Sequence, residues 1–427
     1  MAAVQAETIT GRLRFLAILQ LGWRNLRRNR RRTWITATTV ALAVLLIQVA
    51  VSLLLGIEQQ SFDNLINYQT AHAKIYADGY FAKREELPLE YTLTDLGELQ
   101  DMVQSVRGVA ATTPRLSFSA QVSNGVDLYG CIGVGIQVAA SDQDVFRIPQ
   151  AVVDGEYLTP DEEGMLMGTG LAELFGVATG DWLTVLTRTK AGAYEALDLP
   201  IVGLIGTGNP LIDRNTFLIP LKTAQYMLGL DGAATEVAIR FTPNAHDAQT
   251  IADIGRVVDG TEQVEVKGWR EMEQDFMALV RLKRTGQGVF LFIFIVLAVV
   301  GITNTILMAS FERTREIGMM MAMGLRGAGI RWLFLTEGAL TGFVGGALGS
   351  FIALAITAYF ATAGIDLTAM YGDMDIGYPV KDTIYPAMNG TVIMASWLLT
   401  GVLAALASLY PAARASRRVP VEALRHV

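Results

Sequence analysis

Residues 289–310 read VFLFIFIVLAVVGITNTILMAS, a continuous apolar stretch without a charged side chain. A helix rises about 1.5 Å per residue, so about 20 apolar residues cross the hydrocarbon core of a bilayer. Three more stretches fit this length, and they comprise residues 34–56, 332–361 and 391–410. Four such stretches predict a membrane protein with four transmembrane α-helices, rather than a soluble protein with buried core helices.

The composition supports this prediction and limits the chemistry of the chain. Of its 427 residues, 52% are hydrophobic, which is too many for a soluble protein of this size. The single cysteine, Cys131, excludes an intrachain disulfide. The three histidines lie far apart in sequence, and no nucleophile–base motif stands out. We therefore expect neither a catalytic residue nor a metal site.

Residues 57–286, between the first two spans, read like an ordinary water-exposed domain. Alternation of hydrophobic residues over 115–138 predicts two strands joined by a turn at 123–125. GTGLAELFGVATGDWLTVLTRT at 168–189 predicts a helix, a turn and a strand. It does not fit a nucleotide-binding loop, because the G-x-G-x-x-G spacing fails. We therefore predict a large α+β extracytoplasmic domain between the first and second transmembrane helices.

The distribution of basic residues predicts the orientation in the membrane. Residues 1–33 hold eight arginines and one glutamate, whereas residues 362–390 hold four aspartates and one lysine. Arginines also recur in residues 311–331 and in the C-terminal tail. We therefore expect both termini and residues 311–331 in the cytoplasm. The first span is too long for a cleaved signal peptide and is expected to stay as an anchor.

Residues 1–33 also predict an amphipathic helix at the membrane surface. One face carries hydrophobic residues at helical spacing, namely Phe15, Leu16, Leu19, Trp23 and Leu26. The run RRNRRR at 27–32 directly precedes a membrane span, which favours an orientation signal over a nucleic-acid site. No nucleic-acid partner is expected.

The chain carries no nucleotide-binding P-loop. The Walker A motif G-x-x-x-x-G-K-[ST] is absent, and the dipeptide Gly-Lys does not occur. We therefore do not expect this chain to be an enzyme or to hold a cofactor. Any ATP and Mg²⁺ must be bound by a partner ATPase.

Three segments resemble one known family. SFERTREIG at 310–318, followed by Met323-Gly324, resembles a signature of the FtsX/MacB-type (type VII) ABC transporter permeases. WRNLRRN at 23–29, and YPAARA with PVEALR over 410–425, resemble the opening and closing segments of that family. The resemblance implies an FtsX-like permease domain over residues 287–427, with an ATPase-coupling segment at 311–331.

Within this family the chain looks most similar to the LolC/LolE lipoprotein-release permeases. TAHAKI at 70–75 and TGNP at 207–210 with Asp213 resemble segments of their outer domain, although Ala71 stands where the family usually has glycine. The resemblance implies a permease of the bacterial inner (cytoplasmic) membrane. It would move its periplasmic domain to extract or export lipoproteins or lipids from the outer leaflet.

The resemblance also implies partners and leaves alternatives open. The partners are a cytoplasmic ABC ATPase dimer, a second permease copy or a related permease, membrane lipids, a lipoprotein substrate and a periplasmic carrier. A macrolide or peptide efflux permease is one alternative. An FtsX-like regulator of a cell-wall hydrolase is another, and a membrane-anchored receptor or enzyme without an ATPase is a third.

Three sets of candidate residues follow. ATPase coupling is assigned to a short helix containing Glu312, Arg313, Thr314, Arg315, Glu316, Met320 and Gly324. The second set is assigned to an apolar substrate cleft between the first span of one protomer and the second span of its partner, with plain lipid packing as the alternative. It comprises Val44, Ile47, Val51, Leu54, Phe290, Phe294 and Leu297. Close helix packing, either within one chain or between two, is assigned to Gly338, Gly342, Gly345, Gly346 and Gly349.

The first two spans are also predicted to continue beyond the bilayer as helical stalks over residues 56–62 and 276–287. Their apolar residues recur at roughly helical spacing in both segments.

Overall fold

The computed structural model describes residues 20–28, 30–160, 163–259, 263–312, 314–323, 325–366 and 383–416. The chain forms two compact units. The membrane unit comprises the described residues of Met1–Gly56, Arg281–Ile365 and Tyr385–Val427. The outer unit comprises those of Ile57–Val280 and Asp366–Ile384.

The helices are numbered in chain order. They are α1 (residues 20–28), α2 (Arg30–Leu65), α3 (Leu96–Gln104), α4 (Ala140–Val145), α5 (Thr169–Phe175), α6 (Pro210–Asn215), α7 (Leu221–Leu228), α8 (Asp247–Val258), α9 (Trp269–Met272), α10 (Gln274–Glu312), α11 (Thr314–Ala322), α12 (Gly327–Ala363), α13 (Gly390–Ala407) and α14 (Leu409–Ser416). A π-helical turn (Ile66–Thr70) follows α2, and two short 3₁₀ turns are Phe81–Glu86 and Ile148–Ala151.

Four of these helices, α2, α10, α12 and α13, are long and apolar enough to cross a membrane. Three of them contain a predicted span in full and α13 covers residues 391–407 of the fourth, so the predicted fold class is confirmed. Both α2 and α10 extend beyond the predicted spans, and residues 56–62 and 276–287 are helical as predicted. The fourth helix ends at Ala407, earlier than the predicted 410, because Pro411 cannot continue it and instead occupies the first turn of α14.

The outer unit is built on a ten-stranded mixed sheet. Its strands are β1 (Ala73–Ala77), β2 (Val109–Ser123), β3 (Leu128–Ile136), β4 (Val152–Gly155), β5 (Met165–Gly168), β6 (Trp182–Arg188), β7 (Tyr194–Ile205), β8 (Thr216–Pro220), β9 (Glu236–Phe241) and β10 (Val264–Gly268). The strand order is β10-β1-β9-β2-β3-β8-β5-β7-β4, and β6 pairs with both β2 and β7. A separate pair consists of β11 (Ile365–Asp366) and β12 (Thr383–Ile384).

The predicted hairpin is formed by β2 and β3, which pair from Ser123 opposite Leu128 to Arg115 opposite Ile136. Asn124 closes the turn, because its side chain accepts hydrogen bonds from the backbone N–H groups of Val126 (3.0 Å) and Asp127 (2.8 Å). Alternate β2 residues face the core and are buried, namely Leu116, Phe118, Ala120 and Val122. The period-two pattern of the sequence therefore corresponds to the buried face of the strand.

The junction between α2 and β1 is buried inside the outer unit. Tyr68 and Ala71 pack in a hydrophobic cluster with Phe146 and Ile205. Ala71 has a φ of 53° and a ψ of −160°, a conformation that favours glycine. This backbone geometry explains why glycine suits the position that Ala71 occupies.

His72 follows this junction and lies against β9. Its ring stacks on Phe241 with centroids 5.2 Å apart, and its Nδ1 accepts a hydrogen bond from the Phe241 backbone N–H at 3.4 Å. Burial, with a smaller contribution from the positive charge of Arg240, lowers the pKa of His72 to about 4, whereas Asp247 acts in the opposite direction. The imidazole is therefore neutral in the folded protein at neutral pH.

We predict that acid destabilises the outer unit through His72. Its pKa is lower in the folded state than the ordinary 6.5, so the unfolded chain binds more protons between pH 6.5 and pH 4. Neutral His72 makes its full contribution to the free energy of unfolding above pH 6.5. As the pH falls towards 4 this contribution is lost, which lowers the free energy of unfolding by at most about 3 kcal/mol. Thermal unfolding of the full chain in nanodiscs at several pH values measures this loss. The His72→Gln variant, which keeps an acceptor, should show a flatter profile, and equal slopes for both proteins would contradict the assignment.

Candidate functional site

The segment after α10 forms the short helix α11, as the sequence predicts. Ile317, only 2% exposed, belongs to a buried hydrophobic cluster that also contains Ile330 and Phe334 of α12. Thr314 is also buried, and its hydroxyl donates to the Phe311 carbonyl at 2.7 Å. One side of α11 is therefore anchored on the membrane unit.

Charged groups lie on the exposed side of α11 and at Glu312, the last residue of α10. Glu312 and Arg315 are exposed, whereas Glu316 is half-buried and forms an ion pair with Arg28 of α1. Arg313 and Gly324, which the sequence also assigned to coupling, lie outside the described residues.

The charge of Glu316 is paired within the chain itself, because Arg28 of α1 supplies the basic group. Sequence spacing along α11 cannot reveal this pair, because Arg28 is 288 residues away.

The four methionines of this segment, Met319, Met320, Met321 and Met323, lie on two different sides of it. Met320 and Met321 pack against the hydrophobic cluster around Ile317, whereas Met319 and Met323 are 47% and 81% exposed. The flexible apolar side chains on the accessible side are thus Met319 and Met323. Met320, the methionine chosen from sequence, faces the membrane unit.

The five α12 glycines that the sequence assigned to close packing lie against two helices of the same chain. A methyl group at Gly342 would lie 2.5 Å from Ala404 Cβ of α13, and Gly338 and Gly346 also face α13. A methyl group at Gly349 would lie 2.4 Å from the carbonyl oxygen of Ala41 of α2, and Gly345 faces α2 as well. The sequence left open whether these glycines pack within one chain or between two chains, and the contacts described here lie within one chain.

A polar contact holds the same three helices together. The amide nitrogen of Gln48 in α2 donates to the hydroxyl of Ser350 in α12 at 2.8 Å and to that of Ser396 in α13. Such groups are costly in hydrocarbon unless they are paired. Neither serine could be assigned to Gln48 without the tertiary structure, because they lie 302 and 348 residues away in the sequence.

An apolar cavity of about 130 Å³ lies between α2, α10 and α13. Three residues of the predicted cleft line it, namely Val44, Ile47 and Leu297. Four do not line it: Val51 and Leu54 are half-buried elsewhere on α2, and Phe290 and Phe294 are exposed on α10.

The cavity also differs from the predicted cleft in its walls. It lies within one chain, and α13 supplies a third wall through Leu399 and Leu403. The predicted cleft between two protomers stays a prediction. The sequence did not place α13 beside α2 and α10, because hydropathy marks all four spans alike and does not say which ones adjoin.

Two family models account for most of the chain. Residues 288–420 match the FtsX-like permease C-terminal model. Residues 33–257, more than half of the chain, match the MacB-like periplasmic core domain. The chain belongs to the FtsX/MacB-type ABC transporter permeases. The family proposed from the short motifs is thereby confirmed, and residues 57–257 of this permease correspond to the periplasmic core domain of the family.

Relatives of the permease match nearly its whole length. The lipoprotein-releasing system transmembrane protein LolC of Neisseria meningitidis serogroup B is 26% identical and aligns with 95% of this chain and 98% of its own. LolE of Haemophilus influenzae is 23% identical, with 91% and 93% covered. The crystal structure of the periplasmic region of MacB from Actinobacillus actinomycetemcomitans matches 51% of this chain and 97% of its own at 12% identity, with a TM-score of 0.37.

We predict that Gly349→Ala destabilises the membrane unit of the permease. The new methyl group collides with the Ala41 carbonyl, and overpacking of this kind costs about 1–3 kcal/mol. Gly286→Ala in α10 is the matched control, because a methyl group there meets no atom within 4 Å. Both substitutions gain the same helix propensity. Thermal unfolding in detergent should show a lower midpoint for Gly349→Ala alone; equal midpoints would contradict the packing described here.

Proposed function

We propose that this permease couples ATP hydrolysis by a separate cytoplasmic ATPase to movement of its outer unit. The movement extracts or exports lipoproteins or lipids from the outer leaflet of the bacterial inner membrane. The observation that carries this proposal is α11, a short helix anchored on one side and charged on the other. In this proposal α11 and both termini lie in the cytoplasm, as the arginine distribution predicts.

The anchoring of α11 suits it for receiving force from a partner. Ile317 belongs to a buried hydrophobic cluster with residues of α10, α12 and α13, so a push on α11 is passed to the transmembrane helices. The accessible side of α11 offers Arg315 for charge pairing and Met319 as an adaptable apolar contact, and Glu312 and Met323 extend this surface just beyond the two ends of the helix. These features suit a docking surface that stays engaged while its partner moves.

The cavity between α2, α10 and α13 supports an apolar substrate. Its walls are mainly hydrocarbon, and Thr39, Ser396 and Thr400 supply hydroxyl groups. Such a cavity favours an acyl chain over a charged headgroup, because among the described residues no ionised group lines it to replace the lost hydration. The similarity to LolC and LolE supports a lipid-modified protein as the carrier of that chain.

Macrolide or peptide efflux is the second candidate. The macrolide export ATP-binding/permease protein MacB of Shewanella sp. (strain ANA-3) is 24% identical over 96% of this chain and 60% of its own. In either case we propose a second permease copy or a related permease as partner, because four helices from one chain make a small assembly for moving a large substrate.

We predict that reversing the exposed charges of α11 weakens binding of the ATPase. The variant Glu312→Lys with Arg315→Glu keeps the net charge but opposes every charge pair at the contact, where mismatched charges cost several kcal/mol. Co-purification of the ATPase with membrane-inserted permease should fall at least about tenfold.

The matched control for this variant is Glu173→Lys with Lys222→Glu, the same charge exchange at exposed positions of the outer unit. It should leave co-purification unchanged. Glu316 is left native in both variants, because its reversal would also break the pair with Arg28. Full ATPase binding by the α11 variant would exclude α11 as the docking element and make the region around Arg414 the next candidate.

We predict that the cavity captures acyl chains. A photo-crosslinking residue at Ile47 or Leu297 should label a radiolabelled lipopeptide, and excess lipoprotein should compete for this labelling. The control position is Phe351, an exposed apolar residue of α12 that does not line the cavity. Equal lipopeptide labelling at all three positions would indicate plain lipid packing. Competition by a macrolide, but not by lipoprotein, would favour efflux.

A further inference from the structure

Helix α1 contacts both α11 and α12 through one side. The ion pair between Arg28 and Glu316 joins it to α11. The side-chain amide of Asn25 donates to the carboxylate of Glu337 in α12 at 2.7 Å. The spacing of these two α1 residues places them on the same side of the helix.

The contact with α12 is close as well as polar. A methyl group at Gly22 would lie 3.3 Å from the hydroxyl of Thr336, so the backbone of α1 comes close to α12. Leu21 and Trp23, on either side of Gly22, are each 50% exposed. The side of α1 that faces the protein is therefore the Gly22–Asn25–Arg28 side, and Trp23 remains available for the membrane surface.

Glu337 makes this contact specific. It is only 9% exposed and lies near the start of an apolar helix. A buried carboxylate needs hydrogen-bond donors, because desolvation without them is costly. Asn25 supplies one such donor, so α1 and α12 have a defined mutual register.

We propose that α1 positions the coupling helix, with Asn25 and Arg28 as positioning residues. Asn25 holds α1 on α12, and Arg28 holds α11 by Glu316, so that a push from the ATPase moves α11 and α12 together. Glu316 then acts through Arg28 and not on the ATPase. This inference rests on the proposed function of α11 as the coupling element, and it assigns a role to the WRNLRRN segment at 23–29.

The proposal separates binding of the ATPase from coupling. The Arg28–Glu316 pair is largely exposed, and exposed ion pairs add little stability. Its loss should therefore leave the protein folded and the ATPase bound. The quantity that changes is the amount of substrate released for each ATP hydrolysed.

The first test is a charge exchange across the ion pair, measured with the permease and its ATPase in nanodiscs. Arg28→Glu and Glu316→Arg should each lower substrate release per ATP about fivefold or more, while co-purification of the ATPase persists. The double variant should recover to within about twofold of wild type, because it restores the pair in reverse. Arg27→Glu controls for the loss of basic charge beside the membrane and should leave coupling unchanged. A double variant no better than Glu316→Arg would overturn the proposal.

The second test exchanges donor and acceptor between α1 and α12. Asn25→Asp places two carboxyl groups together and should lower coupling. Adding Glu337→Gln restores one donor and one acceptor, and it should recover coupling. The single variant Asn25→Asp and the double variant keep the proposal testable if the variants at Arg28 fail to insert. If the double variant is folded and binds the ATPase but does not recover coupling, the proposal is overturned.

The two proposals fail in different ways. If α11 is not the docking element, the Glu312/Arg315 variant keeps its ATPase. If α11 docks but α1 does not position it, that variant loses its ATPase while neither exchange restores coupling.

Discussion

Close backbone contact between α12 and its two neighbours is the constraint on which the membrane unit depends. Hydrocarbon offers no hydrophobic gain for bringing helices together, so their association relies on van der Waals contact and paired polar groups. The glycines of α12 permit contact with α2 on one side and α13 on the other. Gln48 adds a hydrogen-bonded link among these same three helices.

The coupling elements are attached to this packed set of helices. Ile317 of α11 shares a buried hydrophobic cluster with Ile330 and Phe334 of α12, and Glu337 of α12 accepts a hydrogen bond from the side-chain amide of Asn25. Both cytoplasmic-side helices of the proposal, α1 and α11, therefore meet at α12. A helix that is packed along two faces can transmit displacement, because a close-packed interior deforms little.

The apolar cavity reflects the different character of α10. Much of α10 is exposed within the chain, including Phe290, Phe294 and Leu297. It approaches the other helices at Ile302 and Ile306, which belong to the same cluster as Val40 and Ala404. Looser packing of one helix beside a tightly packed set leaves room for an apolar ligand. A single chain thus combines a tightly packed helix, α12, that can transmit movement with a loosely packed helix, α10, that leaves room for a substrate.

The sequence by itself determined the four spans, the α+β outer domain and the family, because hydropathy, strand alternation and the SFERTREIG motif are local properties. It also located α11, and three of the residues it named for a cleft between protomers, Val44, Ile47 and Leu297, line the cavity within the chain. Only the tertiary structure decided that Glu316 pairs with Arg28, that α13 completes the cavity and that the α12 glycines pack within the chain. These depend on which helices adjoin and in what rotation. Periodicity along one helix does not identify its neighbours, because spans of similar hydropathy fit several arrangements. Only contacts between particular side chains distinguish these arrangements.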